Sequence, residues 1–306
     1  MMNPRLKGIL FASVTASLWG VLAIALKVSL SGLSPVDVTW FRFSAAFILL
    51  LIYFVIGKPR QLAVLIRPPL LLIVAALSLG LNYLGYITGL NYTSPIIAQI
   101  FIQIGPVLLA VSGFVIYKEK ITFRQLTGLL LVLFGLTVFY HEQVKLQIDH
   151  KHLLNRGVIW VIIGAVAWAG YAISQKKLVR NHPPMQLNLF LFGLPALLYL
   201  PFVHFSKMRG LSTGEWALLI FLGVNTLVAY GALAMALKYL EANKISVIIT
   251  LNPIITFIIM AYLGYIGVTW IQHEHFNLII FAGAAIVMLG AILTVISGRK
   301  NKGKDT

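Results

Sequence analysis

Two proline-centred stretches hold the side chains best suited to recognise a solute. Gln99 and Gln103 precede Pro106, and Thr250 and Asn252 precede Pro253. Residues four apart share one helical face, so the two glutamines point the same way. A proline inside a helix removes one hydrogen bond and frees the carbonyl four residues earlier, here at Ile102 and Ile249. Amides beside a freed carbonyl make a seat for a polar solute in apolar surroundings. Asn82, Tyr83 and Tyr86 form a second set, and Asn225 with Tyr230 a third. Tyrosine rings stack on organic solutes while their hydroxyls seek partners. Trp19 and Trp168 offer indole faces, and Tyr171 and Gln175 follow Trp168 on roughly the same face. Arg42 is a permanent cation that could attract a solute carboxylate or pair with Asp37, about one turn earlier. Lys27 lies near the end of an apolar run, where its side chain could snorkel to the interface, and His204 lies near the end of another.

This is recognition chemistry rather than catalysis. The chain has no His-x-Glu-x-x-His, no Gly-x-Ser-x-Gly and no pair of aspartates within an apolar run, so no enzyme is expected. It has no cysteine, which excludes disulfides and thiolate metal sites. His141, His150 and His152 lie in a polar stretch without helix-spaced metal ligands. No metal and no cofactor are expected.

The elements that position these residues follow from composition. Of 306 residues, 59% are hydrophobic and 10% charged, and mean hydropathy is +0.92. Soluble domains carry about 25% charged residues. The pattern predicts an all-α membrane protein of ten transmembrane helices, each near the ~20 residues needed to span a bilayer. The spans fall at about 9–29, 36–57, 69–90, 95–117, 122–140, 156–176, 186–205, 215–237, 244–265 and 276–297. The chain divides into a first five-helix unit over 5–140, a polar outer linker over 141–155, a second unit over 156–297 and a basic cytoplasmic tail over 298–306. Met1 to Lys7 is short and basic, and the apolar run after it is too long for a signal peptide; it is read as a retained first helix.

The net charge is +16, from 24 Lys and Arg against 8 Asp and Glu. The bases sit at the ends of apolar runs and form no nucleic-acid motif, so no nucleic-acid partner is expected. With the amino terminus in the cytoplasm, seventeen bases fall on the cytoplasmic side and five outside. Cytoplasmic loops carry the excess of Lys and Arg, which predicts both termini inside and a multi-pass protein of the inner membrane. The lipid bilayer is one partner, and a small-molecule substrate the other.

The two units repeat one another. At an offset of 149, Gly8 falls on Gly157, Trp19 on Trp168, Lys27 on Lys176, Pro35 on Pro184 and Phe43 on Phe192. At an offset of 147, Tyr83 falls on Tyr230, Leu90 on Leu237 and Pro106 on Pro253. At 155, Glu119 falls on Glu274, Gly128 on Gly283 and Gly135 on Gly290. Glycines seven apart share a face and let helices approach closely, so these four are read as packing residues. The two glutamates lie at the rim, beside bases. Five spans per unit is an odd number, so the units enter the membrane in opposite directions. Inverted repeats of this kind are a common construction of secondary transporters.

The Trp19-Gly20 element with Lys27 after it, Arg42-Phe43 early in span two, Gly105-Pro106 in span four, and Glu119 followed by Gln125 and Gly128 resemble the drug/metabolite transporter superfamily. The likeness is to its ten-helix EamA-type members and covers about 5–297. It implies efflux or exchange of small metabolites such as amino acids through a central cavity between the units. Helices one to four and six to nine would line that cavity. Helices five and ten would brace the outside and in some members mediate dimers, leaving a monomer or homodimer. Residues 266–273 depart from the pattern as an insertion. Expected cavity residues are Trp19, Arg42, Asn82, Tyr83, Tyr86, Gln99, Gln103, Trp168, Tyr171, Gln175, Asn225, Tyr230, Thr250 and Asn252, with Pro106 and Pro253 bending their helices. The alternatives are uptake or antiport of an organic or phosphorylated anion, a membrane-embedded enzyme and a passive scaffold. No carboxylate lies near mid-span, so transport without a central-carboxylate proton relay is expected.

Overall fold

The computed structural model describes residues 3–117, 123–146, 151–271 and 277–296. Glu119, Glu274, His150 and the basic tail lie outside them. Among the described residues every regular element is helical. The longer helices are α1 Pro4–Ser29, α2 Pro35–Gly57, α3 Leu70–Tyr92, α4 Pro95–Phe101, α5 Ile104–Tyr117, α6 Phe123–Leu146, α7 Lys151–Leu178, α8 Pro184–Tyr199, α9 Thr213–Tyr239, α10 Ala242–Thr250, α11 Asn252–Tyr265 and α12 Leu278–Ile296. Eight helices or helix pairs are long and apolar enough to cross a membrane, and shorter apolar stretches lie over 95–109 and 278–293.

Local sequence accounts for the starts. Ser34 and Asp37 close a capping box around Pro35 at the head of α2, Ser212 and Glu215 do the same for α9, and Ser94 caps α4 ahead of Pro95. Such caps satisfy amides that have no partner within the helix. The outlines differ from the sequence reading in two places. The polar linker expected over 141–155 is mostly helix, because α6 runs on to Leu146 and α7 begins at Lys151. The span expected over 186–205 ends at Tyr199 and continues as a short 3-10 turn over Leu200–Phe202, in which Pro201 cannot extend the α-helix.

The two units interlock through glycine crossings. An added Cβ on Gly85 would lie 2.9 Å from the Gly164 nitrogen, and one on Gly89 would lie 2.6 Å from the Gly157 oxygen. Rising numbers on α3 thus meet falling numbers on α7, and the two helices run antiparallel with their backbones touching. α1 crosses α9 in the same manner: Thr15 Oγ1 donates to the Ala229 carbonyl at 3.0 Å, and Asn225 Nδ2 donates to that of Leu18 at 3.2 Å. The repeat maps one crossing onto the other. Asn82, the mate of Ala229, donates through Nδ2 to the carbonyl of Gly164, the mate of Thr15, at 2.9 Å. The contact is preserved with donor and acceptor exchanged. The glycines expected to pack do so: Gly135 meets Gly283 and Gly290 meets Gly128 where α6 crosses α12.

Lys27 and Lys176 are repeat mates with one structural role. The Lys27 ammonium donates to the carbonyls of Leu90, Asn91 and Thr93 at 3.0, 3.3 and 2.5 Å, at the carboxyl end of α3. Lys176 donates to Leu237 at 2.6 Å and to Leu240, at the carboxyl end of α9. Lys27 is therefore a helix cap rather than a snorkelling side chain. Because α1 ends where α3 ends, these two helices run together, whereas α3 opposes α7. The repeat mates α1 and α7 therefore run in opposite directions. A cation on the last carbonyls of a helix is favoured by its dipole, by up to about 2 kcal/mol in partly buried geometry. Lys27→Met and Lys176→Met are each expected to destabilise by ~1–2 kcal/mol, read as lower thermal midpoints in detergent. Unchanged midpoints for both would show that the ammonium groups do not hold these helix ends.

Candidate functional site

Both expected bends are breaks. α4 stops at Phe101 and α5 starts at Ile104, while α10 stops at Thr250 and α11 starts at Asn252. The carbonyl expected to be freed at Ile102 is not free. The Gly105 amide donates to it at 2.9 Å, and the Val107 amide donates to Gln103 at 3.2 Å. The chain meets the loss of the Pro106 amide by tightening one turn to i+3 bonding, which moves the break upstream of the proline. Polar contact at this level therefore falls to side chains.

The breaks meet at a cavity of about 60 Å³ between the units. It is lined by Trp19 and Leu22 of α1, Arg42 of α2, Asn82, Tyr83 and Tyr86 of α3, and Gln99, Ile102, Gln103 and Pro106 of span four. From the second unit come Trp168 of α7, Tyr230 of α9, Ile249 of α10 and Asn252 of α11.

The lining is tied together across the units. Gln103 Nε2 donates to Asn252 Oδ1 at 2.8 Å and joins one break to the other. Gln99 Nε2 donates to the Trp19 carbonyl at 2.8 Å, and Thr256 Oγ1 donates to that of Gly20 at 2.6 Å. With Asn225 on Leu18, three successive carbonyls of α1 each receive a side chain from a different helix. Tyr230 OH donates to Asn82 Oδ1 at 3.3 Å. Trp19 packs edge-on to Trp168 with centroids 5.9 Å apart and lies 5.3 Å from Tyr230, which in turn is 5.4 Å from Tyr83.

Arg42 is buried, with 2% of its surface exposed. Its guanidinium carbon lies 4.3 Å from the centre of the Tyr83 ring, and its Nε donates to Thr226 Oγ1 at 3.0 Å. Of the two partners open to it in the sequence, Asp37 is not taken. Asp37 Oδ2 takes the Ser34 amide at 3.1 Å and hydroxyl at 2.7 Å, and its Oδ1 takes the His204 amide at 2.8 Å, with the imidazole 3.3 Å away. A cap and a histidine have used both oxygens.

Four expected cavity residues are buried outside its lining. Tyr171 packs behind Tyr230 with centroids 5.7 Å apart. Gln175 Nε2 donates to Asn188 Oδ1 at 3.0 Å, and Asn188 Nδ2 donates to the Tyr230 carbonyl at 3.1 Å. Asn225 holds α1, and Thr250 Oγ1 donates to the Ser246 carbonyl of its own helix at 2.7 Å. The physical reason is the same for Tyr171 and Gln175: α7 borders the cavity for about one turn around Trp168, and α8 and α9 cover that face beyond it. Pro253 is buried at the start of α11 without lining the cavity. The sequence reading passed over Leu22, an ordinary apolar letter, and took Ile102 and Ile249 for their carbonyls alone. It also passed over Thr226 and Asn188, whose signal is a polar residue inside a long apolar helix. Among the described residues no cluster of metal-ligating side chains occurs.

The profile of the EamA-like transporter family matches residues 6–140 and 155–296. A protein of Haemophilus influenzae described as an uncharacterized transporter is 32% identical over 297 residues, which is 97% of each chain. The uncharacterized inner membrane transporter YhbE of Escherichia coli K12 is 33% identical over 295 residues, 95% of this chain and 92% of its own. A solved crystal structure superposes with a TM-score of 0.69 over 97% of this chain and 100% of that one, at 17% identity, which is a likeness of fold. Two matched halves that share a bilayer-spanning helical bundle make the chain a membrane transporter that belongs to the EamA-like transporter family.

Proposed function

We propose that the protein is a secondary transporter that exports or exchanges small organic metabolites, amino acids among them, across the inner membrane by alternating access. Ten spans with both termini in the cytoplasm form the frame, and the central cavity holds the solute. The observation that carries this reading is the Gln103–Asn252 hydrogen bond at 2.8 Å. It joins the two helix breaks, one from each unit, at the cavity wall. Interhelical hydrogen bonds in membranes average ~0.6 kcal/mol, so such a link can be exchanged for solute contacts at low cost. Broken helices at repeat interfaces are where secondary transporters hold their substrates.

Every described carboxylate is engaged elsewhere: Asp37 with Ser34 and His204, Glu142 with Lys145 and Asn277, Glu215 with Ser212, and Glu241 with Lys244. None lines the cavity. This supports exchange or facilitated efflux rather than a central proton relay. The test is labelled-solute exchange in proteoliposomes, with and without an imposed pH gradient. Exchange independent of the gradient, and lost in Gln103→Ala or Asn252→Ala, is the expected result. Strict dependence on the gradient, retained after His204→Ala, would contradict it. A second reading, uptake or antiport of an organic or phosphorylated anion, draws support from Arg42. A phosphorylated dianion would call for more cavity-facing bases than this one.

A further inference from the structure

Arg42 breaks the symmetry of the fold. Its repeat mate at an offset of 149 is Leu191, and the mate of its partner Thr226 at an offset of 147 is Leu79. Both leucines are fully buried, at 0% exposure, in one apolar cluster. The symmetry-related position is thus held by two buried leucines, one from each unit, and packing there does not require a charge. A buried cation costs several kcal/mol of lost hydration, and a charge inside a membrane bundle marks a substrate or ion pathway by default. Among the described residues no carboxylate lies within ion-pair range of Arg42, and it is the one charged residue in the cavity lining.

Two further polar atoms in the lining are buried without a hydrogen-bond partner, Gln103 Oε1 and Trp168 Nε1, and the Tyr83 hydroxyl lies beside Thr226 and Tyr230. Gln103 and Trp168 are 1% and 3% exposed. An unsatisfied buried polar atom costs about 1–3 kcal/mol, and two on one cavity wall are explained by a ligand that completes them. The indole N–H and the phenol O–H can donate to an anion beside the guanidinium. The amide oxygen can accept a hydroxyl or N–H from the solute. The remaining walls are rings and aliphatic side chains: Trp19, Tyr230, Leu22, Ile102 and Ile249. No acidic group stands ready for an ammonium.

We infer that the cavity selects monocarboxylate anions with a flat apolar body over zwitterions and amines. The carboxylate sits on Arg42, with Tyr83 and Trp168 as further donors. The inference rests on the central cavity being the transport site; within small organic metabolites it favours acids and sets zwitterionic amino acids aside.

Three probes that differ by one group test it: 3-phenylpropionate, which carries only the carboxylate; phenylalanine, which carries both charges; and 2-phenylethylamine, which carries only the ammonium. Binding to the purified full-length protein is measured by titration calorimetry, for the parent and for Arg42→Leu, which copies the other unit. The expected order is 3-phenylpropionate at least tenfold tighter than phenylalanine, no measurable binding of the amine, and at least a tenfold loss for the acid in Arg42→Leu. Phenylalanine or the amine binding as well as the acid, an acid affinity unchanged in Arg42→Leu, or no binding of any probe would overturn the inference. Counterflow of the same probes in proteoliposomes separates the two readings. Exchange of phenylalanine or the amine in preference to the acid overturns the charge class and leaves transport standing. An Arg42-dependent acid that binds but is not exchanged overturns transport and leaves the charge class standing.

Discussion

Arg42→Leu is expected to melt at the parent's temperature or above it, while solute exchange slows by about 30-fold or more. The two effects separate because the residue's charge serves the cavity and not the packing. Replacing a buried ion with a well-packed apolar residue is often neutral or stabilising by ~1–4 kcal/mol, and Leu191 shows that the frame accepts leucine at this point. Thr226 is not orphaned by the change, because its hydroxyl also donates to the Leu222 carbonyl at 2.9 Å. The loss in exchange follows from removing one partner of a desolvated charge pair with the solute, which costs about 2–5 kcal/mol, or ~30-fold at the lower limit. Melting and exchange should be measured on one preparation. A variant that unfolds easily, or that exchanges at the parent's rate, contradicts this assignment of Arg42.

Gly89→Leu is expected to destabilise the bundle more than any cavity substitution. A Cβ at this position would lie 2.4 Å from Val161 Cγ2, 2.6 Å from the Gly157 carbonyl oxygen and 2.8 Å from the Val161 amide nitrogen. Two of these three obstacles are backbone, so no rotamer change relieves them. Overpacking a tight interior costs about 1–3 kcal/mol even where side chains can shift, and a leucine here should meet or exceed that range. α3 and α7 belong to different units, so forcing them apart also strains the cavity that Tyr83, Tyr86 and Trp168 share. The check is the thermal midpoint in detergent, with Gly57→Leu as the control. Gly57 meets no atom within 4 Å of an added Cβ and should tolerate the change. Equal midpoints for the two variants would mean that the α3–α7 crossing is looser than its distances imply.

The repeat was legible because it is carried by letters that substitute poorly. Trp19 and Trp168, Lys27 and Lys176, and Pro106 and Pro253 align at constant offsets; the first two pairs are used alike, and both prolines follow a helix break although Pro106 alone lines the cavity. Much of the cavity was legible for a related reason: amides and tyrosines beside a helix break, inside apolar runs, have few other uses. Lys27 was misread because its acceptors are carbonyls more than 60 residues away, and a carbonyl leaves no trace in the sequence. Arg42 and Asp37 are close in sequence but not paired, because the capping box and His204 claim Asp37 first. Tyr171 and Gln175 follow Trp168 by helical spacing, yet spacing on one helix does not reveal where a neighbouring helix covers the face. The position of the breaks was displaced for the same kind of reason: Gly105 bonds to Ile102 by a backbone contact that proline placement alone does not specify.

The most direct measurement of alternating access uses the absence of native cysteine. A single cysteine placed by Ile102→Cys, at an apolar point of the cavity wall on an otherwise thiol-free chain, can be labelled with a membrane-impermeant reagent from either side of oriented vesicles. If one central site opens to each face in turn, the thiol reacts from both sides, and a transported solute slows both reactions. Labelling from one side alone, whatever the solute, or reaction only with a lipid-soluble reagent, would contradict it.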